Sequence, residues 1–514
     1  KRNFLSLPCP AEPTPSRRME LSHLGAAHDG LGSVSLRGEG ENQPDEGGAN
    51  KDVRHGVRQN AGQVALHVVV AALIGLVLRL VLLPEALSAR QRATKKGSSG
   101  GEVDFLIAFG LSKALSNLVA GQLVGILGRR RTCLLGWSLG LALIPAIAAG
   151  ALYDNVLALH VAHCLLGIHQ GITWATNIVC LMDLLGPGRC GLASGLSNAS
   201  GYFSSAVAAP VVSSLFEAFG GEKSTLPALV ATILAGVLLV AQMVETQPWA
   251  IAQDRLSEVV FSPGAAVPAS RRTVAQRCAS FCGCSGVLPA LYDLAGLTVN
   301  AATGLVWGSL VIWCQETGGL STVQIGFVES AHTSAKVVAM VGAGYVADRC
   351  IGSRLLVALA MGCLTGGLVL LMLQARAELS WQLLYASSCL IGAGVGSAFP
   401  ALAAAVAVEA QSAGQRASAY CAYRMWRDAG YALGGLAPRL FGNSAGCGSV
   451  KGGGDCRGFQ ETTLAALVWS SVVTVLAFCA LCWKKPRRAV LQAAGSERGD
   501  AELTMSEEEY RRLG

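Results

Sequence analysis

The sequence predicts an all-α membrane protein, with twelve transmembrane helices in two six-helix pseudo-repeats. Three observations carry that expectation. The 514 residues are 52% hydrophobic and only 14% charged, whereas soluble domains carry about 25% charged residues; the mean hydropathy is +0.46. Apolar runs of membrane-crossing length, about 20 residues, recur in two groups of six. A short basic, glycine-bearing turn occurs once in each group, at 121–131 (GQLVGILGRRR) and at 344–354 (GYVADRCIGSR).

Taken in order, residues 1–60 are rich in Gly, Pro, Ser and charge and read as a disordered extension. No signal peptide is legible, and Glu20 and Glu39 argue against a transit peptide. The chain opens on Lys1, as a fragment would. The first half, 61–246, holds spans near 62–84, 104–127, 132–152, 156–182, 190–215 and 226–246. A polar linker follows at 247–288, with Pro248, Pro263, Pro268, Arg271, Arg272 and Arg277. The second half, 289–484, holds spans near 289–314, 322–347, 353–374, 381–408, 417–440 and 461–483. Residues 485–514 form a tail behind the basic stretch Lys484–Arg488, with a short helix expected over 506–512, capped by Ser506 and Glu509.

Charge sets the orientation. Arginine is costly in hydrocarbon and accumulates in cytoplasmic loops. Arg129–Arg131, Arg189, the linker arginines, Arg349, Arg354, Arg416 and the tail fall on one side, which places both termini in the cytoplasm. Arg90, Arg92, Lys95 and Lys96 disagree and read as a tolerated insertion between the first two spans. The net charge of +7 belongs to these loops rather than to a nucleic-acid surface. Plasma and organellar membranes are not distinguished. Most of the 17 cysteines (Cys164, Cys180, Cys363, Cys389, Cys421 and Cys479 among them) lie in apolar runs as small hydrophobes. Cys447 and Cys456 flank a glycine-rich loop where a disulfide is conceivable; Cys278, Cys282 and Cys284 lack the further ligands a metal needs.

Ionisable groups inside spans are functional candidates by default. Arg79 lies in span one, Lys113 and Asn117 one turn apart in span two, His163, His169 and Gln170 in span four. Asn198 and Tyr202 share a face of span five, and Asn300 and Trp307 lie in span seven. Glu329, His332 and Lys336 form one stripe of span eight, and Arg424 and Asp428 pair across one turn of span eleven, with Arg427 expected to point away from Asp428. These residues suggest a midplane cavity: Arg79 and Lys113 to hold an anion, and Glu329, His332 and Lys336 for proton coupling. The competing reading makes the charges structural pairs or snorkelling side chains. His169 reads first as a packed, hydrogen-bonded histidine, and Trp307 and Trp426 as packing residues.

The halves, the repeated basic turn and the central linker, over roughly 60–484, resemble the major facilitator superfamily. Its Gly-x-x-x-Asp-Arg-x-Gly-Arg motif is kept as a gate motif at Gly121, Gly128, Arg129 and Arg130, with Gly125 in place of the acid and Ile126 in place of a frequent arginine. The second copy keeps Gly344, Asp348 and Arg349 and gains one residue before Gly352 and Arg354. Residues 165–174, 183–189, 195–202 and 423–431 resemble a mostly prokaryotic-type branch with no settled substrate. Asn198 stands where that branch leads us to expect Glu. Ala209-Pro210 is the nearest match to an antiporter Gly-Pro signature.

The resemblance implies a multi-pass transporter in the lipid bilayer, a monomer, moving a small solute by alternating access with the proton as coupling ion. A facilitative uniporter or a non-transporting sensor of the same fold stays open, motivated by Gly125 and Asn198. No phosphate loop of the Gly-x-x-x-x-Gly-Lys-Ser/Thr type and no His-Glu-x-x-His pattern occurs. Enzyme chemistry, cofactors, metals and nucleic-acid partners are therefore not expected.

Overall fold

A computed structural model describes residues 55–96, 104–153, 155–219, 222–251, 287–316, 320–376, 380–410, 412–441 and 457–481. The expected N-terminal extension up to residue 54, most of the linker, the tail and its short helix, the Cys447–Cys456 loop and Cys278, Cys282 and Cys284 lie outside these residues.

Among the described residues the chain forms twelve helical spans. These are α1 (Ala61–Lys96), α2 (Asp104–Ile126), α3 (Arg129–Tyr153, in two pieces), α4 (Val156–Leu185), α5 (Cys190–Phe219) and α6 (Leu226–Val240). The second set is α7 (Val287–Leu305, continued through a π turn at Val306–Leu310 into Val311–Glu316), α8 (Thr322–Arg349), α9 (Ser353–Arg376), α10 (Trp381–Glu409), α11 (Ala413–Phe441) and α12 (Arg457–Leu481). Ten spans qualify as membrane-crossing by length and apolarity alone. The other two are α8 and α11, which carry Glu329 and Lys336, and Arg424, Arg427 and Asp428. Helix is the required answer in hydrocarbon, because each backbone N–H and C=O must be satisfied within its own segment.

Three local differences from the expected spans have physical causes. Helix α1 runs on to Lys96, so Arg90, Arg92, Lys95 and Lys96 sit on a helical extension of span one and not in an inserted loop. Residues beyond Val240 leave the sixth helix early, and Glu245 and Thr246 turn back to bind other elements. Span seven holds one wide turn at Val306–Leu310, which shifts the helical register beside Trp307.

The two halves meet along two long helix pairs, α2 with α11 and α5 with α8. Within each half a glycine pair brings the fourth helix onto the second. A Cβ at Gly171 of α4 would stand 2.7 Å from the Lys113 carbonyl of α2, and one at Gly396 of α10 would overlap the Lys336 carbonyl of α8. Only glycine permits that approach. It places the Lys113 and Lys336 backbones at matching depths in the two halves.

The basic turns lie together at one end of the bundle. Gly128 adopts φ +85° and opens the way into α3. Glu245 accepts the first backbone N–H groups of that helix, from Arg129 (2.8 Å) and Arg130 (3.0 Å). Arg129 Nε donates to Asp183 Oδ2 at 3.0 Å, and Thr246 Oγ1 donates to the same oxygen at 2.9 Å. In the second copy Asp348 accepts from Gly191 N (3.0 Å) and Leu192 N (2.7 Å), capping α5 of the opposite half. A carboxylate at a helix N-terminus satisfies orphan donors and opposes the positive end of the helix dipole. His55, ahead of α1, docks its Nδ1 on the Asp183 carbonyl at 2.9 Å, and burial lowers its pKa from the usual histidine value.

Candidate central site

The site lies where α1, α2, α5, α7, α8 and α11 converge. Five cations (Arg79, Lys113, Lys336, Arg424 and Arg427) and two carboxylates (Glu329 and Asp428) are buried there. Such a surplus of positive charge in hydrocarbon is expensive unless it has a use.

Arg79 joins the halves. Its Nη1 donates to Glu329 Oε2 of α8 at 3.1 Å, its Nε to Ser205 Oγ of α5 at 3.0 Å, and its Nη2 to Thr333 Oγ1 of α8 at 3.4 Å. The guanidinium also lies 5.6 Å from the centre of the Trp307 ring. Arg79, Ser205, Trp307 and Glu329 line a small cavity together with Leu78, Leu82, Leu83 and Ala86 of α1.

Asp428 is the second hub. Arg427 binds its Oδ1 through Nη2 (2.7 Å) and Nε (2.8 Å), Arg424 Nη2 reaches Oδ2 at 3.4 Å, and Lys113 Nζ stands 3.9 Å from Oδ2. Asn117 of α2 and Asn300 of α7 donate to it at 2.8 Å and 2.9 Å. The expected separation of Arg427 from Asp428 is thus corrected. Adjacent helix positions do diverge at Cβ, but the long arginine stem folds back to bring its fork to the neighbouring carboxylate.

Between the hubs stands a wall of rings. Lys336 Nζ lies 3.8 Å from the Tyr202 ring centre and 4.8 Å from that of Phe399. Lys113 Nζ lies about equally far from Phe109 (5.0 Å), Trp174 (5.1 Å) and Tyr431 (5.0 Å). Trp307 stacks on Tyr431 at 5.4 Å, and the Tyr202 and Tyr431 hydroxyls bond to each other at 3.1 Å. Desolvated cation–π contacts contribute about 2 kcal/mol each, yet they supply no acceptor. Among the described residues Lys336 Nζ, Arg424 Nε and Nη1, and Trp307 Nε1 are buried without one. Each unsatisfied buried donor costs on the order of 1–3 kcal/mol.

The structure thus brings together Arg79, Lys113, Asn117, Asn300, Glu329, Lys336, Arg424 and Asp428. It turns three other candidates elsewhere. His169 Nδ1 donates to the Gly136 carbonyl of α3 (3.0 Å), and the ring meets Trp137 edge-on, away from the cations. His332 bonds the Ser388 carbonyl of α10 at 3.2 Å. Asn198 bonds Ser194 within its own helix, through the carbonyl (2.8 Å) and the hydroxyl (3.0 Å). Sequence reasoning missed Ser205, Phe399 and Tyr431. A signal for Tyr431 existed: Gly430-Tyr431 in span eleven repeats Gly201-Tyr202 of span five. It also missed Asp183 and Glu245, which supply negative charge at the first gate turn where Gly125 supplies none, and Thr246, which donates to Asp183.

No curated protein matches the sequence at a significant level. Residues 292–509 match the family model of the Major Facilitator Superfamily. Among solved structures, the proton:xylose symporter XylE, bound to 6-bromo-6-deoxy-D-glucose, superimposes with a TM-score of 0.61 at 12% identity, over 82% of this chain and 96% of that one. The human organic anion transporter MFSD10 (TETRAN) superimposes with a TM-score of 0.57 at 18% identity, over 82% of this chain and 99% of that one. Both likenesses are of fold. They show that the chain shares the twelve-helix fold of these transporters, and the family model covers its second half.

Proposed function

We propose that the protein is a secondary active transporter that carries a small organic anion together with a proton, by rocking one six-helix half against the other around the central site. The observation that carries the reading is the buried Arg79–Glu329 pair, which joins the two halves beside a small cavity in a site that holds four further buried basic residues. An anion reaching Arg79 competes with Glu329 for the guanidinium. A proton on Glu329 removes that competition. Anion and proton therefore favour each other's binding, as linkage requires, and the pair that crosses is anion plus proton. Arg79 and Glu329 lie on opposite halves, so exchanging their ion pair for a substrate bridge also changes what holds the halves together. The organic-anion transporter among the structural neighbours agrees with this choice of solute class.

Uptake of labelled organic acids into proteoliposomes, with and without an inward proton gradient, tests the proposal. Accumulation only with the gradient is expected; each pH unit provides about 1.4 kcal/mol per proton. Uptake indifferent to the gradient leaves a facilitative uniporter. The missing acid at Gly125 favours that second reading, because it leaves the first gate turn without the family's own carboxylate.

A further inference from the structure

The central site is built twice. Lys113 and Lys336 are separated by the same interval as the gate glycines Gly121 and Gly344, and so occupy equivalent places in the two halves. Each is backed by an equivalent glycine, Gly171 behind Lys113 and Gly396 behind Lys336. Tyr202 and Tyr431, each preceded by glycine, are likewise equivalent. The contacts then cross over. Lys336 of the second half lies on Tyr202 of the first, and Lys113 of the first lies on Tyr431 of the second. The two hydroxyls meet between them at 3.1 Å. The arrangement is reciprocal: each lysine lies on the ring of the tyrosine from the opposite half.

The charges are not balanced on either side. Lys336 Nζ is fully buried, has no hydrogen-bond acceptor and has no carboxylate within ion-pair distance among the described residues. Lys113 has Asp428 at 3.9 Å, but Arg424 and Arg427 share that single carboxylate, and Arg424 keeps two donor nitrogens without acceptors. A purely structural lysine in a ring cage would be served better by methionine, which fills the space with no charge to desolvate. A site with positive charge in excess on each side of the paired hydroxyls, Lys336 on one and three cations to one carboxylate on the other, asks for a ligand with negative charge at both ends.

Resting on the anion-transport reading above, we infer that the substrate is a dianion. One anionic group sits against Arg79, Lys336 and the Tyr202 hydroxyl, Arg79 and Lys336 both lying on the Trp307 ring; the other sits against Lys113, Arg424 and the Tyr431 hydroxyl. The two hydroxyls, now bonded to each other, turn outward and donate one to each group. The substrate thus bridges the halves through equivalent contacts.

The test uses the full-length protein, purified and reconstituted, with butyrate, succinate and sulfate as probes. Butyrate and succinate share a four-carbon skeleton and differ by one charge; sulfate is a compact dianion. Binding is read from the thermal shift and transport from vesicle uptake. Succinate or sulfate is expected to bind at least tenfold more tightly than butyrate. Preference for succinate marks an extended dicarboxylate site; preference for sulfate marks a compact oxyanion. Lys336→Met, which keeps the cage filled, and Lys113→Gln should each reduce the dianion preference to near unity. Butyrate bound and carried as well as either dianion overturns the inference while leaving anion transport standing. So does an unchanged preference in both variants. Failure of all three anions to bind or cross overturns the inference and the transport reading together.

Discussion

Replacing Asp428 by Asn removes the one negative charge that Arg427, Arg424 and Lys113 share. The contacts at stake are the 2.7 Å and 2.8 Å bonds from Arg427, the 3.4 Å bond from Arg424 and the 3.9 Å approach of Lys113. Breaking a buried pair leaves an uncompensated charge and costs about 3–5 kcal/mol. The asparagine carbonyl still accepts from one of Asn117 and Asn300, which recovers about 1 kcal/mol. A net loss of about 2–4 kcal/mol is expected. Removing Arg427 as well should return part of it, because the double variant buries one cation fewer; a coupling of about 1–3 kcal/mol follows for residues in direct contact. A thiol-reactive dye is a suitable assay, since Cys133, Cys180, Cys314 and Cys421 are buried and become reactive on unfolding. Denaturation of such a protein is commonly irreversible, so midpoints rank the variants rather than give equilibrium energies. Asp428→Asn should unfold earliest, with Asp428→Asn/Arg427→Gln above it. A double variant as unstable as the summed singles would refute the shared-carboxylate reasoning.

Three other outcomes follow. Asp348→Asn weakens the cap on α5 (3.0 Å and 2.7 Å to Gly191 and Leu192) by about 1 kcal/mol, and should speed maleimide labelling of the buried Cys190 several-fold; an unchanged rate argues against a gate role. His169→Phe should lower the thermal midpoint yet leave the substrate affinity intact, since this histidine faces Gly136 and Trp137; a changed affinity would put it in the transport path. His55 has its pKa lowered by burial, so the docked state binds fewer protons than the undocked one. Docking onto Asp183 is then complete above the ordinary histidine pKa and is lost as pH falls below it. Protection from hydrogen exchange at residues 55–60, taken against the intrinsic rate at each pH, should fall as pH drops below about 6.5 and lose that dependence in His55→Gln.

The helical pattern made the spans, the duplication and the gate turns legible because each depends on residue type and spacing along one helix. Most of the site was legible for the same reason: a charge inside an apolar run is conspicuous. Direction was not. His169 and Lys113 look equally out of place in hydrocarbon, but Gly140 of α3 makes room for the histidine on the side of α4 that meets α3, which no single-helix pattern reports. His332 is drawn to a carbonyl of α10 for a similar reason. Arg427 reaches Asp428 through the length of its stem, which the divergence of neighbouring Cβ atoms along a helix does not report. The acids at the first gate turn escaped because Asp183 and Glu245 arrive from α4 and the end of span six, far along the chain from Gly125. Phe399 escaped because an aromatic residue in a span reads as packing until a cation is found on its face.

In the proposed cycle Glu329 couples the proton by competing with substrate for Arg79. Uptake and counterflow measured on Glu329→Gln decide whether it does. The variant should exchange labelled for unlabelled anion across the membrane but no longer accumulate it on a proton gradient. Accumulation by Glu329→Gln equal to that of the unaltered protein would contradict it.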